Sequence, residues 1–144
     1  MGRMIVHIYG KPKDNNLASM ISEYSNRLVS RGITLKIHSD KKDSHYYENN
    51  LASLKGNLII LDENGIQKTS KQFSDFISNI SLSNETVNFA TGPPDGFSDL
   101  LKNKAIKIMS LSKMTFIHEM ASCILLEQLY RATEIIKGSS YHRE

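Results

Sequence analysis

The side chains with most chemistry to offer stand together at the end of the chain, as Tyr141, His142, Arg143 and Glu144 in unbroken succession. An imidazole titrates near neutrality, so His142 can accept a proton or orient a reacting base. The guanidinium of Arg143 can hold a phosphate or a base carbonyl. Tyr141 offers a face on which an unpaired base can stack. Upstream, Glu127 and Arg131 are spaced to pair across one helical turn, with the acid on the N-terminal side, the better order. Each residue also has a plain reading. A polar chain end is ordinarily frayed and solvated, and an exposed i,i+4 pair contributes only about 0.2–0.5 kcal/mol. His118, just ahead of the last helical run, reads as a capping or packing histidine. Cys123 lies among apolar residues and reads as a buried, inert thiol.

The elements that must position these groups follow from periodicity. Met120, Ile124, Leu125, Leu129, Ile135 and Ile136 recur at helical spacing, and Gly138 ends the run. Residues 4–9 alternate and are rich in β-branched types, which predicts a strand. Asp14 is placed to cap a helix with the stripe Leu17, Met20, Ile21, Tyr24 and Leu28, ending near Gly32. Residues 33–38 predict a second strand. The polar stretch 39–48 predicts a loop entering a short helix that carries Leu51 and Leu54. The continuous apolar run 57–61 is the mark of a strand buried on both faces, and 62–65 predicts a turn. Thr69 or Ser70 can cap a helix with the stripe Phe73, Phe76, Ile77 and Ile80. A strand over 86–90, a loop over 91–96, a short helix over 97–103 and a strand over 105–109 complete the order.

Strands alternating with helices predict an α/β layer structure with a largely parallel sheet. Ligands of such sheets bind outside the carboxyl ends of the strands. Three loops qualify: the one after Leu61, the one from Gly92 to Gly96, and the one from Ser110 to Phe116. Lined by backbone groups and apolar walls, such a site suits adenine. Gly92 either lets the backbone approach a ligand, adopts a positive φ, or makes a plain turn. No G-x-G-x-x-G follows the first strand and no phosphate loop of the G-x-x-x-x-G-K-S/T type is present, which argues against nicotinamide and nucleoside triphosphates.

The chain has 144 residues, enough for one domain with a core. Its formal net charge of +3 is mildly basic, with the excess before Leu61 in residues such as Lys11, Lys13, Lys41 and Lys42. That balance supports a nucleic-acid partner only weakly, since scattered solvated lysines account for it as well. A single cysteine leaves no internal disulfide and no multi-thiolate metal site. No apolar run approaches the roughly 20 residues of a membrane span, and residues 1–7 are too short and interrupted for a signal peptide. The expectation is a cytoplasmic protein without a metal.

Three stretches carry a resemblance. Glu127-Gln128-Leu129-Tyr130-Arg131-Ala132, followed by Lys137-Gly138 and Tyr141-His142-Arg143-Glu144, resembles the C-terminus of the RlmH family, which are SPOUT-class methyltransferases. Leu111-Ser112-Lys113-Met114-Thr115-Phe116 with His118, and Leu61-Asp62-x-x-Gly65, are similar to the same family. The resemblance is strong from about Leu58 onward and weaker before it. It implies an α/β-knot domain over residues 1–144 with a C-terminal trefoil knot in roughly 58–144, where general rules favour an unknotted sheet. It further implies S-adenosyl-L-methionine as cofactor, N3 of a pseudouridine in large-subunit ribosomal RNA as acceptor, and a homodimer with residues of both chains around each cofactor. Cofactor contacts are implied at Leu61, Gly92, Leu111, Ser112, Lys113, Met114, Thr115 and Phe116, and work at the reacting base by Tyr141, His142 and Arg143. The chain departs from the family pattern at Pro93, where a second glycine is usual, at Ser122 in place of arginine, and at Ile117 in place of proline. Two other readings stay open: a non-catalytic RNA-binding or ribosome-assembly module of the same fold, and a methyltransferase with another substrate.

Overall fold

Five short runs of apolar and β-branched residues form strands, and all pair in parallel in the order β2-β1-β4-β3-β5. The computed structural model describes residues 3–143. In chain order the elements are β1 (Met4–Tyr9), α1 (Asn15–Val29), β2 (Ile33–His38), α2 (Ser44–Ala52), β3 (Asn57–Gln67), α3 (Ser70–Ser81), β4 (Val87–Ala90), α4 (Asp99–Lys104), β5 (Lys107–Ser110) and α5 (His118–Lys137). Because every strand runs the same way, the loops that follow them share one edge of the sheet.

Alternation along the strands sorts side chains onto two faces. Val6, Ile8, Ile59, Phe89 and Met109 face one core, closed by Ile21 and Leu28 of α1, Phe73 and Ile77 of α3, and Leu125 and Leu129 of α5. Leu58, Ile60 and Ala90 face the other, closed by Tyr47 and Leu51 of α2, Phe97, and Leu101 of α4. Met20, Met120 and Ile136, members of the predicted stripes, are instead exposed.

Helix starts follow the predicted chemistry. Asp14 accepts from the amides of Asn16 and Leu17, and Thr69 forms a capping box with Gln72. The last helix begins at His118 after Ile117, which supplies no side-chain cap, so His118 is not the capping residue. Gly138 takes φ 79, and the amide of Ser139 donates to the Glu134 carbonyl at 3.1 Å. A left-handed residue there reverses the chain direction, which is what glycine tolerates.

The turn expected over 62–65 takes another form. Leu61 and Ile66 both register against Met109, so residues 62–65 bulge out of β3 while the strand continues to Gln67. Gly65 permits this, because a Cβ on it would lie 2.7 Å from the backbone of Ile108. Asp62 is anchored to Lys102 at 3.1 Å.

Candidate active site

The three strand-end loops meet in one groove of about 490 Å³. Leu61, Asp62 and Glu63 form one wall, residues 91–97 a second, and Thr115, Phe116, Ile117, His118 and Ala121 the third. The volume suits a nucleoside-sized ligand. Gly92 has an ordinary φ. What it supplies is space: a Cβ would come within 3.3 Å of the Phe97 ring. Pro93 is buried, and its carbonyl accepts from the Gly96 amide at 2.9 Å, so the loop closes on itself without the missing proline amide. Asp62 is pulled toward the uncharged form by burial, but the Asn64 amide and Lys102 outweigh this and hold its carboxyl below the usual range.

Of the predicted cofactor residues, Leu61, Gly92, Thr115 and Phe116 line this groove. Thr115 donates its hydroxyl hydrogen to Glu63, which ties the last loop to the β3 bulge. Leu111 lines a smaller cavity of about 180 Å³ between β3, α3 and α5, which Leu61 also borders. Lys113 borders an open depression with Glu63 and Gly65. Ser112 shapes the loop, accepting from the Ser110 hydroxyl at 2.7 Å through its carbonyl and from the Met114 amide at 3.0 Å through its hydroxyl. Met114 is 75% exposed and turned outward.

Ser122 is buried and completes a chain of hydroxyls. Thr91 donates to Ser122 at 2.7 Å, and Ser122 donates to the His118 carbonyl at 2.9 Å. This pins the end of β4 to the first turn of α5. The Tyr47 hydroxyl donates to the Thr91 carbonyl at 2.6 Å from the other face. Burial pushes the Tyr47 phenol far up, so it stays a neutral donor.

Behind Tyr47 lies a polar relay that the hydrophobic pattern does not reveal. The Asn88 amide nitrogen donates to the Lys55 carbonyl at 3.0 Å, leaving its oxygen to accept from His7 Nε2 at 2.8 Å. His7 Nδ1 therefore accepts from His38 Nε2, at 2.9 Å. Both rings are held below their ordinary pKa by burial, His38 at about 4.

The C-terminal residues are not frayed. Past Gly138 the chain folds back along α5, and Tyr141 and His142 are half-buried while Arg143 is exposed. The Tyr141 hydroxyl donates to Glu127 Oε2 at 2.8 Å and lies 3.3 Å from the Tyr24 hydroxyl. Arg131 pairs with the same Glu127 oxygen at 2.8 Å, covers the Tyr141 ring at 4.9 Å, and reaches His142 Nδ1 at 3.1 Å. Burial, with the bonds to Tyr24 and Glu127, pushes the Tyr141 phenol well up. The Arg131 guanidinium is raised, first by its hydrogen bond to Glu127. Glu144 lies outside the described residues.

The structure does not bring this cluster to its own groove. Glu127 is six residues beyond the groove wall at Ala121, about 9 Å along the helix, and Arg131 about 15 Å. Ile117, on the groove wall, and its chain neighbours Met114 and Met120 expose apolar side chains, at 64%, 75% and 39%. Among the described residues no group of three or more His, Cys, Asp or Glu is placed to hold a metal, and no helix is long and apolar enough to cross a membrane.

Comparison with known proteins gives one consistent result. The model of a family described as "Predicted SPOUT methyltransferase" matches residues 3–142. A protein of Coprothermobacter proteolyticus named "Ribosomal RNA large subunit methyltransferase H" is 38% identical over 143 residues, covering 97% of this chain and 100% of the relative. One of the same name from Prochlorococcus marinus is 41% identical over 138 residues, covering 94% and 92%. Among solved structures, a probable methylase family protein from Haemophilus influenzae superposes with a TM-score of 0.58 at 9% identity, over 99% of this chain and 71% of that one. That likeness concerns the fold alone.

Proposed function

The chain belongs to the SPOUT methyltransferase family, and we propose that this ribosomal RNA methyltransferase modifies N3 of a pseudouridine in the large subunit, with S-adenosyl-L-methionine as methyl donor. The observation that carries the reading is the meeting of the three strand-end loops in one groove, together with a C-terminal cluster that is held in place by Glu127.

The groove fits the cofactor. Leu61, Pro93, Phe97 and Ile117 offer apolar walls to an adenine, the bare Cα of Gly92 leaves room beside Phe97, and Glu63 and Asp95 bring carboxylates near a cationic ligand. When bound, the cofactor supplies an electrophilic methyl on a sulfonium. The chain's own residues must align the imide nitrogen with that methyl, at roughly 3–3.5 Å, and stabilise the imide as its proton leaves to water. Negative charge on a deprotonated imide spreads to the flanking carbonyls, where N–H donors act best.

One chain's tail sits about 9–15 Å along α5 from its own groove, so the reading includes a homodimer in which the tail of one protomer serves the groove of its partner. The exposed Ile117 on the groove wall and its chain neighbours Met114 and Met120 support such a contact. It also includes a single domain over residues 1–144 with the knot in roughly 58–144. Transfer of labelled methyl to intact ribosomes, free subunits and naked RNA tests the activity. Cells lacking the gene should lose N3-methylpseudouridine, and an unchanged level by mass spectrometry of the RNA would remove the assignment.

A further inference from the structure

The walls of the groove are joined to one another by different bonds. Parallel pairing of Ile60 with Ala90 fixes the first wall to the second, and the Thr115 hydroxyl on Glu63 ties the first to the third at the exposed rim. The second and third meet underneath, where Thr91 and Ser122 are only 1% and 2% exposed. Ser122 spends its one hydroxyl hydrogen on the His118 carbonyl, four residues back, so Thr91 must donate the 2.7 Å bond between them. Thr91 is itself fixed on both sides: its amide donates to the His7 carbonyl at 3.0 Å and its carbonyl accepts from Tyr47 at 2.6 Å. Apolar contact is non-directional and lets surfaces slide, whereas a hydrogen bond weakens steeply off its geometry. The hydroxyl pair therefore sets how far the end of β4 stands from the first turn of α5, and both of those segments line the groove.

We propose that Thr91 and Ser122 are positioning residues, which hold the second and third walls of the groove at the separation that the cofactor needs. They act through the walls and not on the reacting atoms. The inference deepens the proposed function and rests on it.

Thr91→Val keeps the shape but loses the donor, Thr91→Ser keeps the donor, and Ser122→Ala removes the acceptor. In free protein, hydrogen exchange should quicken about fivefold or more in Thr91→Val and Ser122→Ala at two amides that flank the link, Thr91 on the His7 carbonyl and Ala121 on the Ile117 carbonyl. Unchanged exchange would overturn the proposal. By calorimetry, the affinity for S-adenosyl-L-methionine should fall about tenfold in Thr91→Val and in Ser122→Ala, no further in the double variant, and within about twofold in Thr91→Ser. Equal losses in Thr91→Ser and Thr91→Val, or losses that add in the double variant, would overturn it. Ile77→Val, in the core between α3 and the sheet, serves as the control for general loosening. It should lower the melting temperature and leave cofactor affinity unchanged, and a loss of affinity as large as that of Thr91→Val would overturn the positioning role. A wild-type chain that binds no cofactor would sink the proposed function itself, and is told apart because the exchange measurement needs no cofactor.

Discussion

The groove and the C-terminal cluster lie along opposite halves of the same helix and are built by different means. The groove is made of loop backbone: the Gly96 amide on the Pro93 carbonyl, the bulge of residues 62–65, and a bare Cα at Gly92. The cluster is made of side chains strung on one carboxylate, with Tyr141, Arg131 and, through Arg131, His142 depending on Glu127. A backbone-built site tolerates many side-chain changes and fails when space is filled. A side-chain network fails when its hub is removed.

The sharpest way to separate the two is to delete residues 141–144. Methyl transfer should fall by about a hundredfold or more, since positioning and charge stabilisation each contribute at that scale, while calorimetry should find cofactor affinity within about twofold. Gly92→Val should do the reverse in binding, because its branches would meet the Phe97 ring that a Cβ already approaches at 3.3 Å. A loss of about tenfold or more in cofactor affinity is expected, with the magnetic resonance signals of the tail's rings unchanged. Gly138→Ala is smaller. Its left-handed φ of 79 strains any side chain, at a cost of about 1–2 kcal/mol in denaturant unfolding, and it should loosen Tyr141 without touching the groove.

The smallest effect is on pH. His7 and His38 are held below their ordinary value in the fold, chiefly by burial, so the unfolded chain binds more protons than the native one. Their contribution to stability is therefore complete above pH 6.5 and drains away as pH falls toward about 4, the value of His38. Thermal melts across that window should show the slope, and His38→Gln, which keeps a donor to His7 Nδ1, should flatten it.

The sequence was legible where local chemistry decides. Asp14, Thr69 and Gly138 announce helix ends, and 57–61 announces a doubly covered strand. It was not legible where geometry between distant residues decides. Nothing near His7 names Asn88 or His38 as its partners, although a histidine inside an apolar central strand is itself a signal. The run 62–65 reads as a turn because the signal for a turn and for a wide bulge is the same. Within 111–116 the resemblance treats six residues alike, but only Thr115 and Phe116 face the groove, since that depends on how the loop rests against β3. Tyr141 and His142 were individually indistinguishable from a frayed end. What orders them is a carboxylate fourteen residues earlier than Tyr141, brought beside it by the reversal at Gly138.

The claim on which the account turns is that groove and cluster of different protomers form each site. Co-expressing a chain lacking residues 141–144 with a Gly92→Val chain, assayed at limiting cofactor, tests it directly, since each alone is strongly impaired by a different route. Heterodimers hold one intact groove facing one intact tail, so random pairing should restore about a quarter of wild-type transfer. Heterodimers verified by native mass spectrometry that transfer no methyl would contradict it.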